Sequence, residues 1–161
     1  ISGLLGFLIY NKPKAKIFMG DGGSQFLGFM IAALPLYKTT ENFEYNKFLI
    51  MVNLVSIPTL DCIAAIWRRL REHRGIMTPD RAHIHHKLMN IGLSSVQVLI
   101  VLLVIQAFIC CVCAIALYLK GALAFTVLLL CYAVIVCFFV IVHYLNRRAN
   151  IARKKNISSD S

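Results

Sequence analysis

The sequence predicts an all-α fold: a polytopic bundle of transmembrane helices with four complete spans, a truncated first one, and a cytoplasmic loop carrying a short amphipathic helix. Three observations carry this reading. The chain is 59% hydrophobic, with a mean hydropathy of +0.74, whereas soluble domains hold roughly 45–50% apolar residues. The apolar residues come in uninterrupted blocks rather than as amphipathic stripes. The 17 Lys and Arg fall between those blocks in alternation.

The blocks follow in order. Ile1 to Tyr10 is apolar but too short to span, lacks an initiator Met and has no basic n-region. It reads as a helix cut through its middle rather than a signal peptide, so the sequence is expected to be the C-terminal part of a longer protein. Gly22 to Tyr37 lies near the short limit, since a bilayer core needs about 20 predominantly apolar residues. Phe48 to Trp67 is long enough and holds Pro58 and Asp61. Val96 to Leu119 is 24 residues without a charge, and Gly121 to Leu145 has only His143 as a titratable charge.

Charge then orients the spans. Three Lys lie in residues 11–21, six Lys and Arg in 68–94 and five in 146–161; only Lys38, Lys47 and Lys120 fall in the alternate connections. The positive-inside rule places the 14 on the cytoplasmic side. Residues 1–145 form the membrane unit and 146–161 a basic cytoplasmic tail. The isoelectric point near 9.6 does not point to nucleic acid, because the excess charge flanks spans, where it meets anionic lipid. The six cysteines all lie inside predicted spans and read as reduced packing residues.

Chemistry is to be sought in the two cytoplasmic loops. In the first, KPKAKIFMGDGGSQF, Asp21 stands at the membrane surface before Gly22, Gly23 and Ser24. Ser24 fits an N-cap, and the glycines fit a tight turn whose N–H groups face an anion at a helix start. A carboxylate there can hold Mg²⁺ while the metal holds a phosphate. A solvated capping turn fits the same residues, and both readings stand.

In the second loop, Thr78-Pro79-Asp80 reads as a helix start, with the helix ending near Asn90–Gly92. Ile84, Leu88 and Ile91 make an apolar stripe, while His83, His86 and Asn90 fall opposite and His85 points elsewhere. Arg81, His83, His85 and His86 offer N–H donors to diphosphate oxygens; a zinc site is the rival reading, and a solvated face the bland one. Asp61, three residues after Pro58, is an ionisable group inside a span. That makes it either a functional group or the partner of a neighbouring helix.

Taken together, IFMGDGGSQFLGF and PTLDCIAAIWRRLREHRGIMTPDRAHIHHKLMNIGLS resemble the closing motifs of the polyprenyl-phosphate N-acetylhexosamine-1-phosphate transferases, glycosyl transferase family 4. The resemblance covers residues 1 to about 95 in order and spacing. The HIHH form is similar to the branch acting on UDP-N-acetylglucosamine, which starts teichoic acid, O-antigen and common-antigen synthesis.

The resemblance implies the following for the full-length protein. A UDP-N-acetylhexosamine and undecaprenyl phosphate react with Mg²⁺ (or Mn²⁺) on the cytoplasmic face of a bacterial inner membrane, releasing UMP. Asp21 would be a metal ligand; His83, His85 and His86 would be catalytic, contacting diphosphate or sugar; Arg81, Ser24 and Asn90 would bind substrate. Membrane lipids and a second copy of the chain complete the expected partners. The family's paired-Asp and Asn/Asp-rich motifs have no counterpart in these 161 residues, so the stretch alone is expected to be inactive. The rival class is a small multi-span subunit, a transporter or a metal-binding anchor. It leaves the GDGGS turn unexplained.

Overall fold

The computed structural model describes residues 2–11, 15–37, 45–73, 75 and 83–159, with 34–37 and 153–159 as backbone alone. Among these the fold is helical: α1 Ser2–Asn11, α2 Gly20–Tyr37, α3 Tyr45–Leu54, α4 Ser56–Arg71, α5 Ile84–Asn90, α6 Ser95–Ala116 and α7 Gly121–Ser159. By length and composition, α6 and residues Gly121–Ala152 of α7 can each cross a membrane, and α3 with α4 makes a third crossing if that pair is one span. Four complete spans are expected from the sequence; among the described residues α2 is the block that does not meet this measure, since it opens on the polar run Gly20-Asp21-Gly22-Gly23-Ser24-Gln25.

The Phe48–Trp67 block is a broken helix, bent by 70° between α3 and α4. Pro58 supplies the cause: it has no N–H to give the carbonyl four residues back. In an apolar slab a freed carbonyl must find another donor, and Gln106 of α6 donates its Nε2 to the Leu54 oxygen at 3.3 Å. The Ser56 hydroxyl donates to the Asn53 carbonyl at 2.6 Å. Asn53, fully buried, donates its own amide to Leu49 O at 2.9 Å and to Leu128 O of α7 at 3.3 Å.

Polar side chains thus fasten the bend to both long helices. Gln106→Leu should lower the thermal stability of the purified full-length protein by about 0.5–1 kcal/mol, the range of a hydrogen bond inside a membrane bundle. Adding Pro58→Ala should recover part of that loss by returning an N–H to the Leu54 carbonyl. Equal losses with Pro or Ala at 58 would mean that Gln106 acts through packing alone.

α6 and α7 are joined by residues 117–120, and Ile109, Cys113, Leu128, Cys131 and Ile135 interlock at their seam. Leu49, Ile50, Leu54, Ile57 and Leu60 pack against that seam from α3 and α4. Cys113 and Cys131 are therefore core residues, while Cys110, three positions from Cys113, is exposed. Ser94 and Gln97 form a reciprocal capping box at the start of α6. α7 continues without a break through the basic segment to Ser159, 39 residues in all. At 1.5 Å per residue it is about 58 Å long, roughly twice a hydrocarbon core. The expected tail is thus a prolongation of the last span.

At the cationic end, Ile84 and Leu88 of α5 are buried with Val98 of α6 and Val142 of α7, and Ile91 packs against them. This is the stripe that the sequence predicts. The end of α5 is a Schellman motif: Gly92, at φ 112°, donates to Met89 O at 3.0 Å, and Leu93 donates to Leu88 O at 3.3 Å. Gly92 takes the left-handed residue's place at no steric cost.

Candidate functional site

α5 has only seven residues, too few to hold a helix without help. Its N-cap is His83, with φ −64° and ψ 159°, and this residue makes no side-chain cap of its own. The cap comes from another helix. Asp61 of α4 accepts the Ile84 N–H on Oδ1 at 2.8 Å and the His83 Nδ1 proton on Oδ2 at 3.0 Å. One carboxylate therefore neutralises the positive end of α5 and fixes the first imidazole. With Nδ1 donating to Asp61, Nε2 is the ring nitrogen left over, and it can donate to a substrate oxygen only when the ring carries both protons.

The expected helix start at Thr78-Pro79-Asp80 lies outside the described residues, as does Arg81. What is described corrects the helical-wheel placement of the histidines. His83 precedes the helix in extended backbone, so the 100° step does not relate it to His86. His85, expected to point elsewhere, is stacked with His83 at 6.0 Å between ring centroids and 3° between planes, and stands 4.2 Å from His86. All three imidazoles form one group. Asn90 is engaged elsewhere, donating to Asn146 of α7 at 3.3 Å.

The first loop also differs in detail. Gly20, at φ 68°, makes the turn into α2, while Gly22 and Gly23 lie inside the helix. A Cβ on Gly23 would meet Met19 Cγ at 2.5 Å, so glycine lets Met19 cross the first turn. Ser24 is not the N-cap. It sits one turn in, and its hydroxyl donates to the Asp21 carbonyl at 3.0 Å, as serines inside helices do. Asp21 is exposed in the first turn of α2, where the helix dipole favours a negative charge. A single exposed carboxylate suits Mg²⁺, which takes one or two and fills the rest of its octahedron with water and substrate oxygens. Among the described residues no three His, Cys, Asp or Glu converge as a ligand set, and no hydrogen bond or ion pair joins Asp21 to the histidines.

Desolvation, followed by the neighbouring His86 and His83, lowers the His85 pKa below its ordinary 6.5, against a smaller opposing pull from Asp61. A histidine whose folded pKa is lowered stabilises the fold above its unfolded pKa, and that stability is lost as pH falls through the folded value. Melting temperature should therefore decline as pH falls below the ordinary histidine value of 6.5, and His85→Gln should flatten the decline. An unchanged slope in that variant would assign the decline to other groups.

Asp61, which the sequence left as either a functional group or the partner of a neighbouring helix, is the cap of α5. Sequence reasoning missed Gln106 and Asn53 as fasteners of the bend. The available signal was their type, two amides inside apolar blocks, but Leu54 and Leu128, which they reach, are far along the chain.

Known proteins resemble the chain over much of this region. Residues 1–39 match the family described as glycosyl transferase family 4. A protein of Bacillus subtilis (strain 168), named as a probable undecaprenyl-phosphate N-acetylglucosaminyl 1-phosphate transferase, is 42% identical over 105 residues, 65% of this chain and 29% of the relative. A decaprenyl-phosphate N-acetylglucosaminephosphotransferase of Mycobacterium leprae is 40% identical over 109 residues, 61% of this chain and 27% of the relative. An undecaprenyl-phosphate alpha-N-acetylglucosaminyl 1-phosphate transferase of Haemophilus influenzae is 34% identical over 119 residues, 71% and 32% of the two chains. The chain thus matches about 30% of the length of these relatives. No solved structure matches it.

Proposed function

We propose that the chain belongs to glycosyl transferase family 4, whose model matches residues 1–39, and that the full-length protein transfers N-acetylglucosamine-1-phosphate from UDP-N-acetylglucosamine to undecaprenyl phosphate. An oxygen of the lipid phosphate attacks the sugar-bearing phosphorus, a new P–O bond forms, and the bond to the other phosphate breaks to release UMP. The active side is the cytoplasmic face of the bacterial inner membrane, where the nucleotide sugar is dissolved. The alternating basic segments support this placement.

The observation that carries the proposal is the three-imidazole group held by Asp61 at the start of α5. Phosphoryl transfer asks a site for position and for charge stabilisation rather than for covalent chemistry. A row of imidazole N–H donors answers both needs when it grips the diphosphate of the donor. His83, oriented through Nδ1, presents Nε2, which donates when the ring carries both protons; His85 and His86 extend the same surface. Asp21 would hold Mg²⁺, which supplies Lewis-acid stabilisation of the phosphate oxygens. The stretches of the relatives that this chain does not span are where the further carboxylates of the family's motifs would belong.

The test is a steady-state comparison of full-length protein carrying His83→Ala, His85→Ala or His86→Ala, with UDP-N-acetylglucosamine and Mg²⁺ varied separately and UMP release measured. Each variant should lose about tenfold or more in kcat/KM for the UDP-sugar, the size expected for one hydrogen bond to a charged group. Because the rings are grouped, His85→Ala should match the others. Loss of Mg²⁺ affinity with donor affinity intact would sink the donor assignment and make the cluster a metal site.

A further inference from the structure

A cleft of about 400 Å³ opens between α4, α5 and α7, apart from the histidine group. Its floor is apolar, with Leu60, Ile63 and Ala64 from α4 facing Phe139 and Val140 from α7. One turn further along each helix the lining changes character. α4 contributes Trp67, Arg68 and Arg71, α7 contributes His143, and Lys87 enters from α5. Lys87 is 4% exposed, so this ammonium is built into the wall. Among the described lining residues there is no carboxylate.

Polarity therefore changes along the helix axes rather than around them. The rise from Ile63 to Arg71 is about 12 Å, which reaches from the hydrocarbon into the headgroup layer of a bilayer. Trp67, 70% exposed, stands at the boundary, the level at which interfacial rings settle. An occupant that matches this lining has an anionic head and an apolar chain.

We propose that the cleft is a binding site for an anionic diacyl phospholipid of the cytoplasmic leaflet. Its phosphate would lie between Arg68, Arg71 and Lys87, and an acyl chain against Ile63 and Phe139. Guanidinium groups grip phosphate oxygens in a two-pronged geometry, and each basic side chain at an anionic surface adds to the attraction. The polyprenyl acceptor has related chemistry. A reacting acceptor must present its phosphate to the catalytic groups, however, and no lining residue is Asp21, Asp61 or one of the clustered histidines. The inference rests on the membrane setting and not on the transferase reading.

Native mass spectrometry of the purified full-length protein tests it, with phosphatidylglycerol, phosphatidylcholine, undecaprenyl phosphate and inorganic phosphate as separate probes. Phosphatidylglycerol should be retained about tenfold over phosphatidylcholine, and Arg71→Gln should cut that preference about fivefold. Arg71→Lys should restore much of it. Ile63→Trp, which fills the floor and leaves the rim charged, should lower retention too. The melting temperature of each variant, compared with that of the parent protein, checks that the variants are folded. Equal retention of both phospholipids would overturn the proposal, as would a preference indifferent to Arg71→Gln or Ile63→Trp. Displacement of phosphatidylglycerol by equimolar undecaprenyl phosphate would hand the cleft to the acceptor. Displacement by inorganic phosphate would make it a phosphate site without a lipid.

Discussion

Asp21→Asn in the full-length protein should reduce turnover by about two to three orders of magnitude while leaving it folded. The substitution keeps the size and shape of the side chain and removes the charge. Folding loses only the attraction of a carboxylate for the first turn of α2, about 0.3–1 kcal/mol at an exposed site. Catalysis loses far more if the carboxylate holds Mg²⁺ against the phosphates, because a metal supplies several kcal/mol of charge stabilisation and each 1.4 kcal/mol is about tenfold in rate. The apparent Mg²⁺ requirement should rise as well, so a metal titration at saturating UDP-sugar is the decisive measurement. Near-normal turnover across that titration would reduce Asp21 to a helix-start residue.

The second large effect concerns Asp61, which acts through another residue and is a positioning residue. Asp61→Ala removes both bonds at the start of α5. It should cost about 1–2 kcal/mol of stability as a lost cap and about 10²-fold in turnover, the scale of a catalytic group misplaced by an ångström. Asp61→Asn separates the two contributions. Its amide oxygen can still accept from the Ile84 N–H, but its NH₂ cannot accept the proton on His83 Nδ1. Stability should therefore recover while kcat stays low and its pH profile shifts, since His83 has lost the acceptor that fixes its tautomer. If Asp61→Asn restores turnover along with stability, the carboxylate is a cap and nothing more.

Asp61 also marks the division between what is local in this protein and what is not. The membrane class, the apolar blocks, the stripe of Ile84, Leu88 and Ile91 and the stop at Gly92 were all legible in the sequence. Each depends on composition or on a period repeated within a few residues. How two of those blocks are built was not legible in composition. α2 begins in polar residues, and Pro58 splits α3 from α4, with a bend of 70° that the apolar count does not register. Likewise, grouping the histidines by a regular wheel failed because His83 stands outside the helix, a consequence of the Asp61 bond that arrests it there.

Composition and local pattern are enough to establish a membrane-embedded helical protein with Asp21 in one basic loop and three clustered histidines in another. The fold is what groups the three imidazoles, brings Asp61 to the first of them across 22 residues, and brings Gln106 to the bend across 52. The reason is physical. Burial of apolar side chains is nearly additive along the chain and can be counted by position. A hydrogen bond in a low-dielectric setting is made by whichever donor the fold brings to within 3 Å or so, and sequence separation does not enter that requirement.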